Sequence, residues 1–354
     1  MKALRIHGGF ATAIVMVLVM EVIAFLLGIN AFEVLITGLA LGALYAVIAL
    51  GYTMVYGIIE LINFAHGDVF AVGAFVSLTL IGWMDSAMVN AGSFNGGQHT
   101  VHLLGLTFHV DVVWLIIWTI GISVIVAAIF CGLLGMLIER IAYRPLRKAP
   151  KLAPLITAIG VSYILENILF QWRGGIVINY PSVMPIAVTT IFGATIRNIE
   201  IFVFVAALIL MFTLDRFVNG TKLGKAMRSV AQDSEAALMM GINVDNIIAL
   251  TFFVGSAVAG AGAVIYGVDQ GFIGSNMGFS LGLFAFTAAV LGGIGNIRGA
   301  VVGGLLIGVI KRFVDTLGQG AGTEWADAVV FAILILVLVF RPSGLLGSQI
   351  PEKV

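Results

Sequence analysis

The chemistry available to this chain lies in a few polar residues set inside long apolar runs. Asn63, His66 and Asp68 fall within Asn63-Phe64-Ala65-His66-Gly67-Asp68, and Thr287 and Asn296 flank the glycine-rich stretch Gly292-Gly293-Ile294-Gly295-Asn296. Groups at such breaks contact a polar solute or organise the turn itself, and both uses stay open for Asn63, His66 and Asp68. Glu21 and Glu166 also interrupt apolar runs, where an ionisable group is costly and marks a candidate relay. Neither belongs to an acid-rich cluster, so a proton-relay role is not expected of them. The polar segment 84–111 holds His99, His102 and His109 with Asn90, Asn95 and Gln98. No carboxylate or cysteine supports these histidines at ligand spacing, and a solvated loop is expected there rather than a metal site.

Motifs of soluble catalysis are missing. The sequence has no H-E-x-x-H, no paired-cysteine metal motif and no G-x-S-x-G. Gly220-Thr221-Lys222-Leu223-Gly224-Lys225-Ala226 is one residue short of a phosphate-binding loop and lacks its final Ser/Thr, while Gly293-Ile294-Gly295-Asn296-Ile297-Arg298-Gly299 has the wrong spacing for a dinucleotide turn. ATP hydrolysis by this chain alone is therefore not expected. The single cysteine, Cys131, rules out an internal disulfide framework and reads as a small packed hydrophobe.

The elements that must position these residues follow from composition. Of 354 residues 60% are hydrophobic and 10% charged, against roughly 45–50% and 25% in soluble domains. Lys plus Arg and Asp plus Glu balance at 18 each, so no charge excess points to nucleic acid. Runs of about 20 apolar residues suffice to cross a bilayer. Spans are read at 11–29, 32–56, 69–83, 112–138, 153–171, 199–214, 248–268, 282–296, 299–316 and 326–340. The expected fold is an all-α polytopic membrane protein with about ten transmembrane helices, including short broken ones, forming a single membrane domain over 1–354. The first span is read as a retained helix rather than a signal peptide, because Glu21 interrupts it and no clear cleavage site follows.

Spans 69–83 and 282–296 are short and adjoin the two breaks, a pattern that points to a pathway in transporters. Close helix packing explains the same glycines equally well, including Gly255, Gly260, Gly262, Gly299, Gly303 and Gly304. With the N-terminus inside, the cytoplasmic segments carry Lys2 and Arg5, then Arg140, Arg144, Arg147, Lys148 and Lys151, then Arg216, Lys222, Lys225 and Arg228, and last Arg341 and Lys353. Of the remaining cations, Arg173, Arg197, Arg298, Lys311 and Arg312, most fall outside. Trp83, Trp114, Trp118, Trp172 and Trp325 sit at the opposite, external helix ends. Both termini are thus expected in the cytoplasm. The external segment 172–198, with Gly174, Gly175, Pro181 and Pro185, reads as either an ordered cap or a mobile loop.

The most informative polar stretch is the loop 215–247. Residues 225–240 favour helix, Asp233 or Ser234 can cap a short second helix, and Gly241-Ile242-Asn243 supplies a glycine stop. Leu238 and Met239 then present apolar side chains beside Glu235, a form suited to insertion into a partner's groove. Glu235-Ala236-Ala237, followed after three residues by Gly241, resembles the E-A-A-x-x-x-G coupling segment of bacterial ABC-importer permeases. Three further blocks resemble the H-type permease subunit of the branched-chain amino-acid importers. They are residues 51–68 from Gly51-Tyr52-Thr53 to His66-Gly67-Asp68, Glu139-Arg140-Ile141-Ala142-Tyr143-Arg144-Pro145-Leu146-Arg147, and Phe286-Thr287-Ala288-Ala289-Val290-Leu291-Gly292-Gly293-Ile294-Gly295.

That resemblance implies a permease in a bacterial cytoplasmic (inner) membrane, translocating Leu, Ile and Val inward. It implies a related second permease subunit, two cytoplasmic ATPases that use ATP and Mg, and an external solute-binding protein, with no cofactor held by this chain. It places ATPase coupling on Glu235, Ala236, Ala237, Leu238 and Gly241. Asn63, His66, Asp68, Thr287 and Asn296 are the candidate pathway residues, chosen because they adjoin the breaks. Urea or short-chain amides are alternative solutes among the family's relatives, and an autonomous carrier or channel is the alternative of a different class.

Overall fold

The computed structural model describes residues 2–88, 98–103, 106–147, 149–150, 152–174, 177–184, 187–191, 193–317, 322–341 and 343–347. Among them ten long helices stand where ten spans are expected: α1 (Lys2–Leu26), α2 (Ala31–Ile59), α3 (His66–Met88), α4 (Val112–Ile138), α5 (Leu152–Arg173), α6 (Asn198–Gly220), α9 (Val244–Gln270), α10 (Met277–Gly292), α11 (Ile297–Leu317) and α12 (Gly322–Phe340). Two short helices, α7 (Lys222–Gln232) and α8 (Ser234–Met239), fill the loop between α6 and α9. The protein is a polytopic membrane protein.

Burial sorts the helices into an inner and an outer set. The most apolar windows of α2, α3 and α9 are 78%, 72% and 67% buried, whereas those of α4, α5 and α6 are 33%, 28% and 28% buried. Apolar side chains left exposed on α4, α5, α6 and α12 face the surroundings, as lipid contact requires. The closest inner contact is α2 against α11. Side chains added at Gly38 and Gly42 would come within 2.8 and 2.7 Å of the Val309 and Leu305 Cα atoms. Glycines four apart thus let the two backbones meet, and dispersion over that seam replaces the hydrophobic drive that lipid cannot supply.

Short strands lie at the end of the bundle away from α8. They are β1 (Gln98–Leu103) with β2 (Leu106–Asp111), β3 (Ile178–Asn179) with β6 (Phe272–Ile273), and β4 (Val188–Ile191) with β5 (Ala194–Arg197), all antiparallel. The segment read as a solvated loop therefore carries a hairpin, with Thr100 opposite His109. Its histidine side chains lie outside the described ones, as do residues Asn90, Asn95, Lys148, Lys151, Gly175, Pro185 and Lys353. Segment 172–198 is an ordered cap in its described part, because β3 pairs with β6 and the Tyr180 hydroxyl lies 2.8 Å from Ser77 Oγ. The five tryptophans gather at this same end, and each is about half exposed or more.

Candidate functional site: a closed polar section between two cavities

The chain turns at Glu60, whose φ of +53° ends α2, and then re-enters the bundle before α3 begins. His66, the first residue of α3, lies against Gly51, where an added side chain would collide with its ring. Gly51 stands eight residues before the end of α2, so α3 starts about 12 Å inside the bundle at 1.5 Å per residue. Asn63, His66 and Asp68 are all buried. The Asn63 side-chain oxygen accepts from the Tyr143 hydroxyl at 3.0 Å, and one Asp68 oxygen accepts from Ser162 of α5. Among the described residues neither ring nitrogen of His66 makes a hydrogen bond of normal geometry, although the Ile48 backbone lies nearby, and Asp68 Oδ1 has no hydrogen-bond partner.

Helix α10 closes this section from the other side. Side chains added at Gly278 and Gly282 would come within 2.7 Å of Asp68 Cα and 3.2 Å of Gly67 Cα. The Tyr52 ring stands edge-on to His66 at 4.9 Å between centroids, and Phe286 meets both Tyr52 and Phe64 at 6.3 and 5.9 Å. Buried polar atoms without partners cost about 1–3 kcal/mol each. They gather where α3 and α10 touch by backbone.

Two cavities flank it. Toward the α8 end, about 410 Å³ is lined by Thr53 and Gly57 of α2, Asp215 and Asn219 of α6, Arg228 of α7, and Asn296 and Arg298. Toward the strand end, about 420 Å³ is lined by Tyr45 of α2, Arg197, Glu200, Asp269, Phe284, Lys311, Arg312, Asp315 and Asp327. Both fall in the range of small-ligand sites, roughly 300–1,000 Å³. Among the described residues no group of three metal-ligating side chains occurs.

The α7–α8 segment forms a rigid projection. Thr221, Asp233 and Asn243 cap α7, α8 and α9, Asp233 accepting from the Glu235 and Ala236 amides at 3.0 Å each. Gly241 ends the turn at φ +83°, a value that disfavours any side chain. Ala237 is buried against the bundle, while Leu238, Met239 and Met240 are 63%, 82% and 83% exposed, a larger apolar patch than Leu238 and Met239 alone predict. The platform beneath is tied by charge. Asp245 accepts from Arg147 at 2.6 Å and from Arg144, and Arg147 also holds the buried Glu139. The intervening π-turn, Glu139–Tyr143, ends on the tyrosine that bonds Asn63, so one short turn touches both the projection's base and the closed section.

Residues 34–338 match the family described as branched-chain amino acid transport system, permease component. This chain belongs to that family. The permease is 42% identical over 328 residues to the high-affinity branched-chain amino acid transport system permease protein BraD of Pseudomonas aeruginosa, covering 90% of this chain and 97% of that protein. It is 39% identical to the corresponding protein LivH of Salmonella typhimurium, over 90% of this chain and 96% of the relative. The LivM permease protein of Escherichia coli is 24% identical over 43% of this chain and 36% of its own length. No solved structure matches.

Of the expected pathway residues, the permease brings His66 and Asp68 together at the closed section, with Asn63 just before them. Thr287 is buried on α10 and bonds back to Leu283 O at 2.8 Å. Asn296 is elsewhere. Its side chain bonds Leu346 O at 2.8 Å and caps α11 through the Arg298 and Gly299 amides, so its first use is structural, although it also borders the α8-end cavity. The span read as 69–83 is not short: α3 has 23 residues, because His66, Gly67 and Asp68 join the helix at its start and residues 84–88 continue it at its end. Helix α10, at 16 residues, is the short one. Glu21 and Glu166 are half-buried, Glu166 near enough to Asp68 to interact electrostatically. Arg298 lines the α8-end cavity, whereas Lys311 and Arg312 line the other. Tyr52, Tyr143, Arg312 and Asp315 are site residues that the sequence reading missed. The available signal was a Lys-Arg pair and an aspartate inside an apolar span.

Proposed function

We propose that this permease is the H-type membrane subunit of a binding-protein-dependent ABC importer that carries leucine, isoleucine and valine inward. Two separate ATPases supply the energy, with ATP and Mg, and a related second permease completes the membrane core. The α8 end faces the cytoplasm of a bacterial inner membrane, since Arg140, Arg144, Arg147, Arg216, Lys222, Lys225, Arg228 and Arg341 gather there. Both termini lie on that side. An external solute-binding protein delivers the solute to the strand end.

The observation that carries this reading is the pair of cavities at opposite ends of a closed polar section, with the apolar α8 projection at one of those ends. A closed section that opens alternately to either cavity needs an external push. Glu235, Ala236, Ala237, Leu238 and Gly241 form the projection an ATPase would engage, and the Asp245–Arg147–Glu139 ties pass its motion to the turn below Asn63. Coupling by docked motion requires a two-state element biased by nucleotide, which the ATPase pair provides.

The test is labelled solute uptake into proteoliposomes holding this chain, its partner permease, the ATPases and the binding protein. Leucine uptake that needs ATP and the binding protein is expected. Glu235→Arg and Gly241→Pro should each reach the membrane yet lower uptake at least about tenfold, as loss of a docking contact worth 1.4 kcal/mol or more would do. Uptake of urea alone would overturn the amino-acid assignment, and uptake without ATP would overturn the mechanism.

A further inference from the structure

The strand-end cavity has an uneven charge balance that no packing role explains. Arg197 pairs with Glu200 at 2.9 Å and reaches Asp269 at 3.7 Å, while Gln270 donates to the other Asp269 oxygen at 2.7 Å. Lys311 pairs with Asp327 at 2.7 Å and stands 5.1 Å from the Phe284 ring centroid. Two opposite charges remain. Arg312 donates through Nε to the Thr37 hydroxyl at 2.9 Å, and among the described residues its guanidinium has no carboxylate partner. Asp315 makes no direct hydrogen bond or close ion pair among them, and feels Lys311 and Arg312 only as nearby charges. Both are half-buried and line the cavity.

These two residues stand three apart on α11, which puts neighbouring positions on one helix face with Cβ atoms about 5–6 Å apart. The Arg312 fork is turned to α2 by Thr37, whose hydroxyl is itself fixed on Glu33 O at 2.7 Å. A guanidinium with free N–H groups recognises a carboxylate, and a carboxylate with free lone pairs recognises an ammonium. Leu41, Leu281 and Phe284 give the same cavity an apolar part of its lining, with Phe284 stacked on Phe331 at 5.5 Å. Arg312 and Asp315 attract each other, and Lys311 attracts Asp315, without a direct bond between them, and a ligand bearing both complements can bond each of them directly.

We propose that Arg312 and Asp315 form a binding site for a zwitterionic α-amino acid, Arg312 taking the carboxylate and Asp315 the ammonium, with an apolar side chain against Leu41 and Phe284. The site deepens the importer reading above and rests on it. It places a selective step in this chain as well as in any delivering protein. Because carboxylate and ammonium hang from one carbon, only adjacent anchors of opposite sign hold both, and the i, i+3 spacing on α11 supplies them.

The test uses membrane vesicles containing the full importer with Ser280→Cys, an exposed position on the same cavity. Cys131 is buried and stays as it is. Saturating leucine should slow maleimide labelling at position 280, whereas leucinamide, lacking the carboxylate, and isocaproate, lacking the ammonium, should not. Arg312→Met should abolish that protection and raise the KM for leucine uptake at least about tenfold, as loss of one partner of a desolvated charge contact does. Arg312→Lys should recover part of it. Asp315→Asn is read in the same way, and stands in if Arg312→Met fails to reach the membrane. Protection that survives both substitutions, or that leucinamide gives equally, would overturn the site while ATP-driven uptake keeps the importer reading intact. Protection without uptake by the unsubstituted assembly would support the site and overturn the importer reading.

Discussion

At the α8 end Arg147 lies between Glu139 and Asp245, with Arg144 on the same aspartate. At the strand end Arg312 holds a threonine hydroxyl, and among the described residues Asp315 makes no direct hydrogen bond or close ion pair. The side chains are of the same kinds, and their surroundings differ. Around Arg147 every charge is used to lock a turn against a helix start, which suits a platform that must transmit displacement without yielding. Around Arg312 two charges stay available, which suits a place where something must bind and leave. The closed section between them uses neither device. It meets backbone to backbone through Gly67, Gly278 and Gly282, and among the described residues no ion pair crosses it.

This contrast can be broken experimentally. The largest effect on stability is expected from Arg147→Met, which leaves Glu139, 1% exposed, without its partner. Removing one member of a buried pair costs about 3–5 kcal/mol. The loss should appear as a lower thermal midpoint in detergent, and adding Glu139→Gln should restore most of it. If the double variant is no better than the single one, the platform is not held by that pair.

Asp233→Ala comes next. It removes the oxygen that receives two amides at the start of α8, at about 1 kcal/mol for a helix N-cap. Hydrogen exchange should rise at the Glu235 and Ala236 amides while exchange in α9 is unchanged. Equal protection in both proteins would show that the bundle, through buried Ala237, fixes α8 without its cap. The smallest effect is expected from Arg144→Ala. Arg144 and Asp245 are 45% and 43% exposed, and such surface pairs contribute about 0–1 kcal/mol. Arg312→Met should resemble Arg144→Ala in stability while resembling a binding-site variant in transport, and a large fall in its thermal midpoint would erase the difference between the two ends.

Much of this architecture is legible in the residues. The run 112–138 coincides with α4, the Asp233 cap and Gly241 stop delimit α8, and the coupling and permease blocks point to the family. The misread parts share one physical cause. His66, Gly67 and Asp68 look like a polar break, yet the Tyr52 ring packs on His66 and Ser162 bonds one Asp68 oxygen, and the helix begins there instead of three residues later. Asn296 looks like a pathway residue and is first a helix cap, because Leu346 returns from the chain's far end to bond it.

The sequence by itself determined the apolar spans, the membrane setting and the kinship, since each depends on local composition or contiguous motifs. The tertiary structure alone decided which polar residues face one another. Helix α2 is apolar along nearly its whole length, so nothing in its pattern distinguishes the side that backs both cavities. Arg312 and Asp315 come to line one cavity only when Thr37 and the neighbouring helices surround α11, and burial that depends on distant partners leaves no local trace in a chain.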